Sequence, residues 1–427
     1  MMLPYLNTVI SILYIYWAFR HAKLFGTYLT AFLSSIYILT NSAFLWTNQD
    51  SAGEFGYIIY DEALVLAVIA NLIFLFVSVF LTMVFSYFLG YKSEEIFCAN
   101  IVVKDNVLFF LGIMCIFFEL KYIFFGGGLG RLHSLGQVEG RDSLYAMRYD
   151  EALAISEGSG LFSSLLSMRI LYPIVALGCF FKLIVEKKIN FIYLIVPTFI
   201  STILMAMSTL QRSPTFNTSM VTVLCCLWAF IAKIYKDKNK LPDISINHLF
   251  ALLPIVIVGS FIYSFTEQVD VFEGAYHMVE RIFLISSFSS TSYYDLFGPG
   301  KSLPFAGIGY LFGYPVESNG VEITYREIGQ VMNGWPHNLN ASFVATAFGA
   351  CGFTGVAFIS VIMILFARIA DALVLSAGPL AKLALIVLNI FTAFEISNGP
   401  FMNGLYAGLG FNAVLFLFVF KFKKLYK

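Results

Sequence analysis

Residues 63–89 read ALVLAVIANLIFLFVSVFLTMVFSYFL, a stretch without one charged side chain. About twenty such residues suffice to cross the hydrocarbon core of a bilayer as a helix. Runs of this length recur along the chain, and they limit its fold more than any other feature. Inside a membrane the backbone must satisfy its own hydrogen bonds, so a spanning segment is either a helix or a strand of a closed barrel. The runs do not alternate apolar and polar residues, which excludes the barrel. The chain is 59% hydrophobic and 12% charged, whereas soluble domains carry about 25% charged residues. The expected fold is an all-α polytopic membrane protein in a lipid bilayer.

Eleven transmembrane helices are expected, near residues 4–19, 27–45, 63–89, 106–125, 164–184, 190–209, 215–234, 247–265, 338–366, 380–394 and 404–420. Gly378-Pro379 and the stretch 396–400 interrupt the last two runs. The first run lacks a basic leader and a small-residue cleavage site, so it reads as a retained anchor. The whole chain forms one integral membrane domain, with two large external loops, 126–163 and 266–337, holding short amphipathic helices.

Lysine and arginine set the orientation. Basic residues gather in the loops after the odd-numbered spans and in the tail, which places those segments in the cytoplasm, the N-terminus outside and the C-terminus inside. Of the 26 basic residues, 17 fall on that inner side and 15 of these are lysines. Seven of the nine outer ones are arginines: Arg131, Arg141, Arg148, Arg169, Arg212, Arg281 and Arg326. Topology needs only positive charge inside. Arginine on the other side suggests a different task, since its planar fork grips carboxylate or phosphate bidentately.

Individual segments carry both bland and functional readings. Gly126-Gly127-Gly128-Leu129-Gly130 reads as a flexible exit from the fourth span, because no Gly-Lys-Ser/Thr follows to hold a nucleotide. In RDSLYAMRYDEALA (141–154), Arg141, Tyr145 and Arg148 share one helical face; they could grip a diphosphate or sugar, or simply pair with neighbouring acids. In AYHMVERIFLISSFSS (275–290), His277, Arg281 and Phe288 share a face of a helix resting at the interface. Glu119 and Lys121, near the outer end of the fourth span, read as partners for loop groups. Arg212, in STLQRSPTF, sits between two spans separated by almost nothing. A charge held at that depth is costly, which marks it as functional, although lipid phosphate could also hold it. Finally, WPHNLNASF (335–343) opens a span. Pro336 and Asn338 can start and cap that helix, while His337 is unnecessary for capping and has a reference pKa suited to a general base. The six cysteines fall within spans or an inner loop, in no metal-binding pattern.

Taken together, the constellation resembles the bacterial O-antigen polymerases (Wzy type) and the related O-antigen ligases. The likeness covers the whole chain in architecture. At residue level it rests on the arginine of LQRSP, the loop arginines, and PHNLNASFVATAFGACG, where His337-Asn338 precede a span bearing Gly349 and Gly352. Arg141 precedes Gly158 and Arg281 precedes Gly298, both by seventeen residues.

The resemblance implies a membrane glycosyltransferase in the bacterial inner membrane, with its active site facing the periplasm. It would polymerise undecaprenyl-diphosphate-linked oligosaccharides, which serve as both donor and acceptor, without metal, nucleotide or other cofactor. Arg212 and Arg281 would stabilise the diphosphate leaving group and His337 would act as base or orient the acceptor. Arg326, Arg141, Arg148, Tyr145 and Asn338 would contact substrate. A chain-length regulator protein is a possible partner, and nucleic acid is not expected. Gly349, Gly352 and Gly355 are expected to allow close helix packing. Two relatives in chemistry stay open: a ligase joining finished polysaccharide to the lipid A core, and a flippase or transporter. The scarcity of charge within the spans argues against the latter. A metal-using lipid-sugar transferase would need acids such as Asp50, Glu54, Asp61 and Glu62, but their loop is short.

Overall fold

The computed structural model describes residues 2–41, 59–89, 99–135, 165–209, 212–238, 257, 259–261, 264, 269–311, 316–318, 321–323, 328, 331 and 341–424. Among these, seven helical stretches are long and apolar enough to cross a membrane. They are 61–88, 105–125, 167–184, 189–208, 214–237, 343–373 and 401–419, and a bent pair, Pro379–Leu388 with Ile390–Ser397, would make an eighth. This is the architecture of an all-α, multi-pass membrane protein. Of the remaining expected spans, 4–19 falls within helix α1 (Met2–Phe25) and 27–45 overlaps α2 (Tyr28–Asn41). Most of 247–265 lies outside the described residues. The chain divides into two units: residues 1–96, 279–376 and 391–411 form the first, and 97–278, 377–390 and 412–427 the second.

In the first unit, α1 and α2 pack with α3 (Asp61–Leu89), which in turn packs along α12 (Phe343–Leu373). The rings of Tyr37, Phe74 and Phe343 meet at centroid distances of 4.7 to 5.7 Å where α2, α3 and α12 converge. Polar pairs tie α1 to α3: Asn71 donates to Asn7 Oδ1 (2.7 Å), and the Tyr14 and Ser78 hydroxyls lie 2.5 Å apart. Such bonds matter where no water can substitute.

α12 is broken. Cys351 (φ −146°, ψ 24°) and Gly352 (φ 62°, ψ −150°) leave helical geometry. The freed carbonyls of Gly349 and Ala350 accept hydrogen bonds from Ala306 N (2.9 Å) and Gly307 N (2.8 Å), just before the short helix α11 (Ile308–Leu311). Of the three glycines expected to allow close helix packing, Gly349 meets a neighbouring segment at Phe297, whereas Gly352 forms the break itself. Gly349, still helical, lies under the ring of Phe297; Gly352, at the break, lies under that of Phe305; and Gly355 leaves room for the Ala347 carbonyl. The backbone at Gly352 occupies a region essentially reserved for glycine, so Gly352→Ala should cost roughly 1–3 kcal/mol. Its midpoint of thermal unfolding in detergent should fall below wild type. An unchanged midpoint would remove the break as a specified feature.

The second unit packs four helices: α4 (Asp105–Phe125), α6 (Tyr172–Ile184), α7 (Ile192–Ser208) and α8 (Arg212–Lys238). Leu194 of α7 and Leu108 of α4 fill the spaces left by Gly112 and Gly178, so these helices approach closely. Trp228 of α8 donates to Leu380 O (2.9 Å) on α13 (Pro379–Leu388). At one end, strand β1 (Ala99–Val103) pairs antiparallel with β2 (Phe420–Lys424), from Ala99↔Lys424 to Val103↔Phe420. At that end Lys182, only 2% exposed, bridges Asp105 and Glu186, and Lys188 lies 3.1 Å from Asp105 and 3.3 Å from Glu186. The hydrogen bond to Asp105, then that to Glu186, raises the Lys188 pKa above its ordinary value.

Candidate functional site

The second unit sorts its basic residues by helix end. α4 starts where α6 finishes, as the Asp105–Lys182 pair shows, and α7 and α8 form a hairpin. Lys104, Lys182, Lys188 and Lys421 consequently share one end. There too the Trp228 ring lies 5.8 Å from Phe181 and 6.0 Å from Phe420, which brings the lysine-bearing end of α8 alongside. Among the described residues, Arg131, Arg169 and Arg212 belong to the opposite end, joined by one lysine, Lys121, near the end of α4.

Local sequence explains how that end is built. Gly126 closes α4 by donating to Tyr122 O (2.8 Å), and Gly127 turns the chain at φ 81°. The chain then enters α5 (Gly128–Leu135) at once, so the glycine run is a helix-to-helix turn and not a flexible exit. α5 packs on α7. Arg131 hydrogen-bonds the Tyr122 hydroxyl, with its guanidinium 5.6 Å from the ring centroid. Arg169 sits in a π-helical turn (Ser167–Leu171) that leads into α6. Arg212 is the first residue of α8, with α7 ending at Ser208, so it stands at the tip of the hairpin as its sequence position implied.

In the first unit the notable element is α10 (Ser286–Leu296), SSFSSTSYYDL, whose eleven residues are all buried. A serine-rich helix survives burial because its hydroxyls find partners. Thr291 and Ser292 donate back to Ser287 O and Phe288 O, each at 2.8 Å. Ser287 donates to Asn41 O (2.8 Å), Ser290 to Asn41 Oδ1 (2.6 Å) and Ser286 to Asn398 Oδ1 (2.5 Å). Ser290 also accepts from Ser342 N (2.9 Å), the backbone that opens α12. Beside these groups lies a cavity of about 10 Å³ lined by Tyr37, Asn41, Asn71, Ser290, Tyr294 and Ser342, among others. That is room for roughly one water molecule.

This arrangement corrects several expectations about residues 266–337. The segment is helical from Val271 to Leu296, through α9 (Val271–Val279), a π-turn (Glu280–Ile285) and α10. Phe288, beyond the π-turn, is 3% exposed. The second half of this run is core and not an amphipathic surface helix. The cap of α12 is Ser342, whose side chain accepts from Ala345 N (3.3 Å), so the helix begins five residues later than Asn338. Elsewhere, in the second unit, the described partners of Glu119 include the Ser201 and Thr202 hydroxyls of α7.

The sequence-predicted site residues divide clearly. Arg212 and Arg281 are placed by their backbones, at the start of α8 and in the π-turn before α10; their side chains lie outside the described atoms. Arg141, Tyr145, Arg148, Arg326, His337 and Asn338 lie outside the described residues. His337 is connected through three residues to Ala341 and Ser342, both buried beside α10. Sequence reasoning passed over Asn41, Ser290 and Ser342; the signal available was a serine cluster directly before an otherwise apolar bundle. No protein-family model, curated protein or solved structure matches the chain.

Proposed function

We propose that this chain is a glycosyltransferase of the O-antigen polymerase kind, with eleven spans and its working face on the periplasmic side of a bacterial inner membrane. The observation that carries the reading is the separation of lysines from arginines between the two ends of the second unit. Lysine at one end suits orientation by the positive-inside rule, with the C-terminus cytoplasmic. Arginine at the other suits a diphosphate ligand.

In this reading the acceptor hydroxyl oxygen bonds the anomeric carbon as the sugar–phosphate bond breaks, the leaving undecaprenyl diphosphate takes the electron pair, and Arg212 and Arg281 stabilise its negative charge. Guanidiniums fixed before the reaction need no reorganisation, which is the source of their effect. Arg326 is a further clamp, and Arg141, Arg148, Tyr145 and Asn338 contact the substrate. His337 takes the proton of the acceptor hydroxyl or orients it. The acceptor is the terminal sugar of an incoming lipid-linked repeat unit, and a separate protein sets chain length.

The test is elongation by the purified full-length protein of one lipid-linked repeat unit. Products of increasing length are expected, and EDTA should not reduce them. Transfer only to a lipid A core acceptor would make the protein a ligase. The broken helix α12 favours a transporter as the second reading, since such proteins build sites on discontinuous helices. Movement of the lipid-linked substrate across vesicles without any new glycosidic bond would establish it.

A further inference from the structure

Glu119 is the outstanding chemical feature that the proposed reaction leaves unused. It lies on α4, two turns from the end of a membrane-length helix, and is 0% exposed. Its Oε2 is 2.5 Å from Ser201 Oγ, and Thr202 Oγ1 lies 2.9 and 3.0 Å from its two oxygens. Cys115 Sγ is 3.3 Å and Ser167 Oγ 3.5 Å from Oε1. These partners come from α4, α7 and the π-turn. None of the described Lys, Arg or His residues pairs with it.

Neutral donors return less than an ionised carboxylate loses on leaving water. The hydrogens themselves are also short. Ser201 and Thr202 hydroxyls lie 3.0 and 2.7 Å from Thr198 O, and Ser167 Oγ lies 3.2 Å from Cys115 O. Each hydroxyl has one hydrogen to give. Where Ser201 gives its hydrogen to Thr198 O, the short contact to Glu119 needs a hydrogen from the carboxyl itself. The groups facing this point do not change the balance. Cys115 of α4, Tyr172 of α6 and Cys225 of α8 are thiols and a phenol, and the Tyr172 hydroxyl is engaged at 2.5 Å with Thr222. Arg131 of α5 is engaged with Tyr122, Lys121 is exposed on α4, and Arg169 stands two residues beyond Ser167 in the π-turn; the side chains bonded to Glu119 are Ser201, Thr202, Cys115 and Ser167.

We infer that Glu119 is a reversible proton-binding site, occupied while α4, α7 and the π-turn are packed together. The ligand is a proton and not a metal ion, because the oxygens already stand at hydrogen-bond separation. On release the O–H bond breaks, its electron pair stays on the carboxylate, and the proton passes to water admitted as the helices part. The packed form thus holds a proton that the opened form gives up, and raising the pH favours opening.

Two measurements on the full-length protein in nanodiscs test this. A hydrophobic carbodiimide, which attacks protonated carboxyls, should label Glu119 at neutral pH, as located by mass spectrometry. Labelling should fall progressively at alkaline pH and stay unchanged when sodium replaces potassium. The infrared carbonyl band of a protonated acid should be present in wild type and missing from Glu119→Gln, a variant expected to keep the wild-type thermal midpoint. Protection by sodium at fixed pH would make this a cation site and overturn the proposal. So would absence of both label and acid band from the wild-type protein, a result that needs no variant to fold.

Discussion

Arg212→Ala is expected to abolish the long-chain ladder on a lipopolysaccharide gel while the protein still reaches the membrane. The assay is complementation of cells lacking the native gene, with membrane content checked by immunoblot. Arg212 opens α8 at the tip of the α7–α8 hairpin, where a diphosphate could approach from the bilayer surface. Removing one preorganised donor to a developing anion typically costs about 10²–10³ in rate. A processive polymer amplifies that loss, because each added unit repeats it. Arg212→Lys separates charge from geometry: it preserves the cation and loses the bidentate fork. A severe defect in the lysine variant supports diphosphate binding. A normal ladder from the alanine variant would remove Arg212 from the reaction.

The largest stability effect is expected at Asp371→Ala. α2 begins at Tyr28, and its first backbone N–H groups have no partner within the helix. Asp371, on α12, supplies one from another part of the sequence. Its carboxylate accepts from Leu29 N (2.9 Å), Thr30 N (3.1 Å) and Thr30 Oγ1 (2.7 Å), at the positive end of the α2 dipole. It also lies 3.9 Å from Arg368, and the two side chains are 1% and 3% exposed. Deleting Asp371 leaves a buried guanidinium uncompensated, a change that costs about 3–5 kcal/mol. Arg368→Met should cost less, since Asp371 would keep its three hydrogen bonds. Thermal midpoints from size-exclusion chromatography in detergent should therefore place Asp371→Ala below Arg368→Met. Equal or inverted midpoints would show that the cap contributes little.

These expectations mark how far the sequence can be read. The long helices were legible because an apolar run of twenty residues has few physical alternatives in a membrane. The tip position of Arg212 was legible for the same reason, since two adjoining runs leave only a short turn. Asp371 was not: its role depends on Leu29 and Thr30, more than three hundred residues away. The π-turn at Glu280–Ile285 was equally hidden, and Phe288 beyond it lies in the core.

Sequence by itself determined the polytopic helical class, the concentration of arginine on one set of connecting segments, and the boundaries of most spans, because these follow from local composition and periodicity. Tertiary structure decided which polar residues enter the interior. SSFSSTSYYDL reads as a surface segment until Asn41, Asn398 and the opening of α12 supply its partners. Glu119 reads as a loop-facing acid until Ser201 and Thr202 close on it. Burial of a polar group is permitted only by partners that satisfy it, and those partners are distant in sequence.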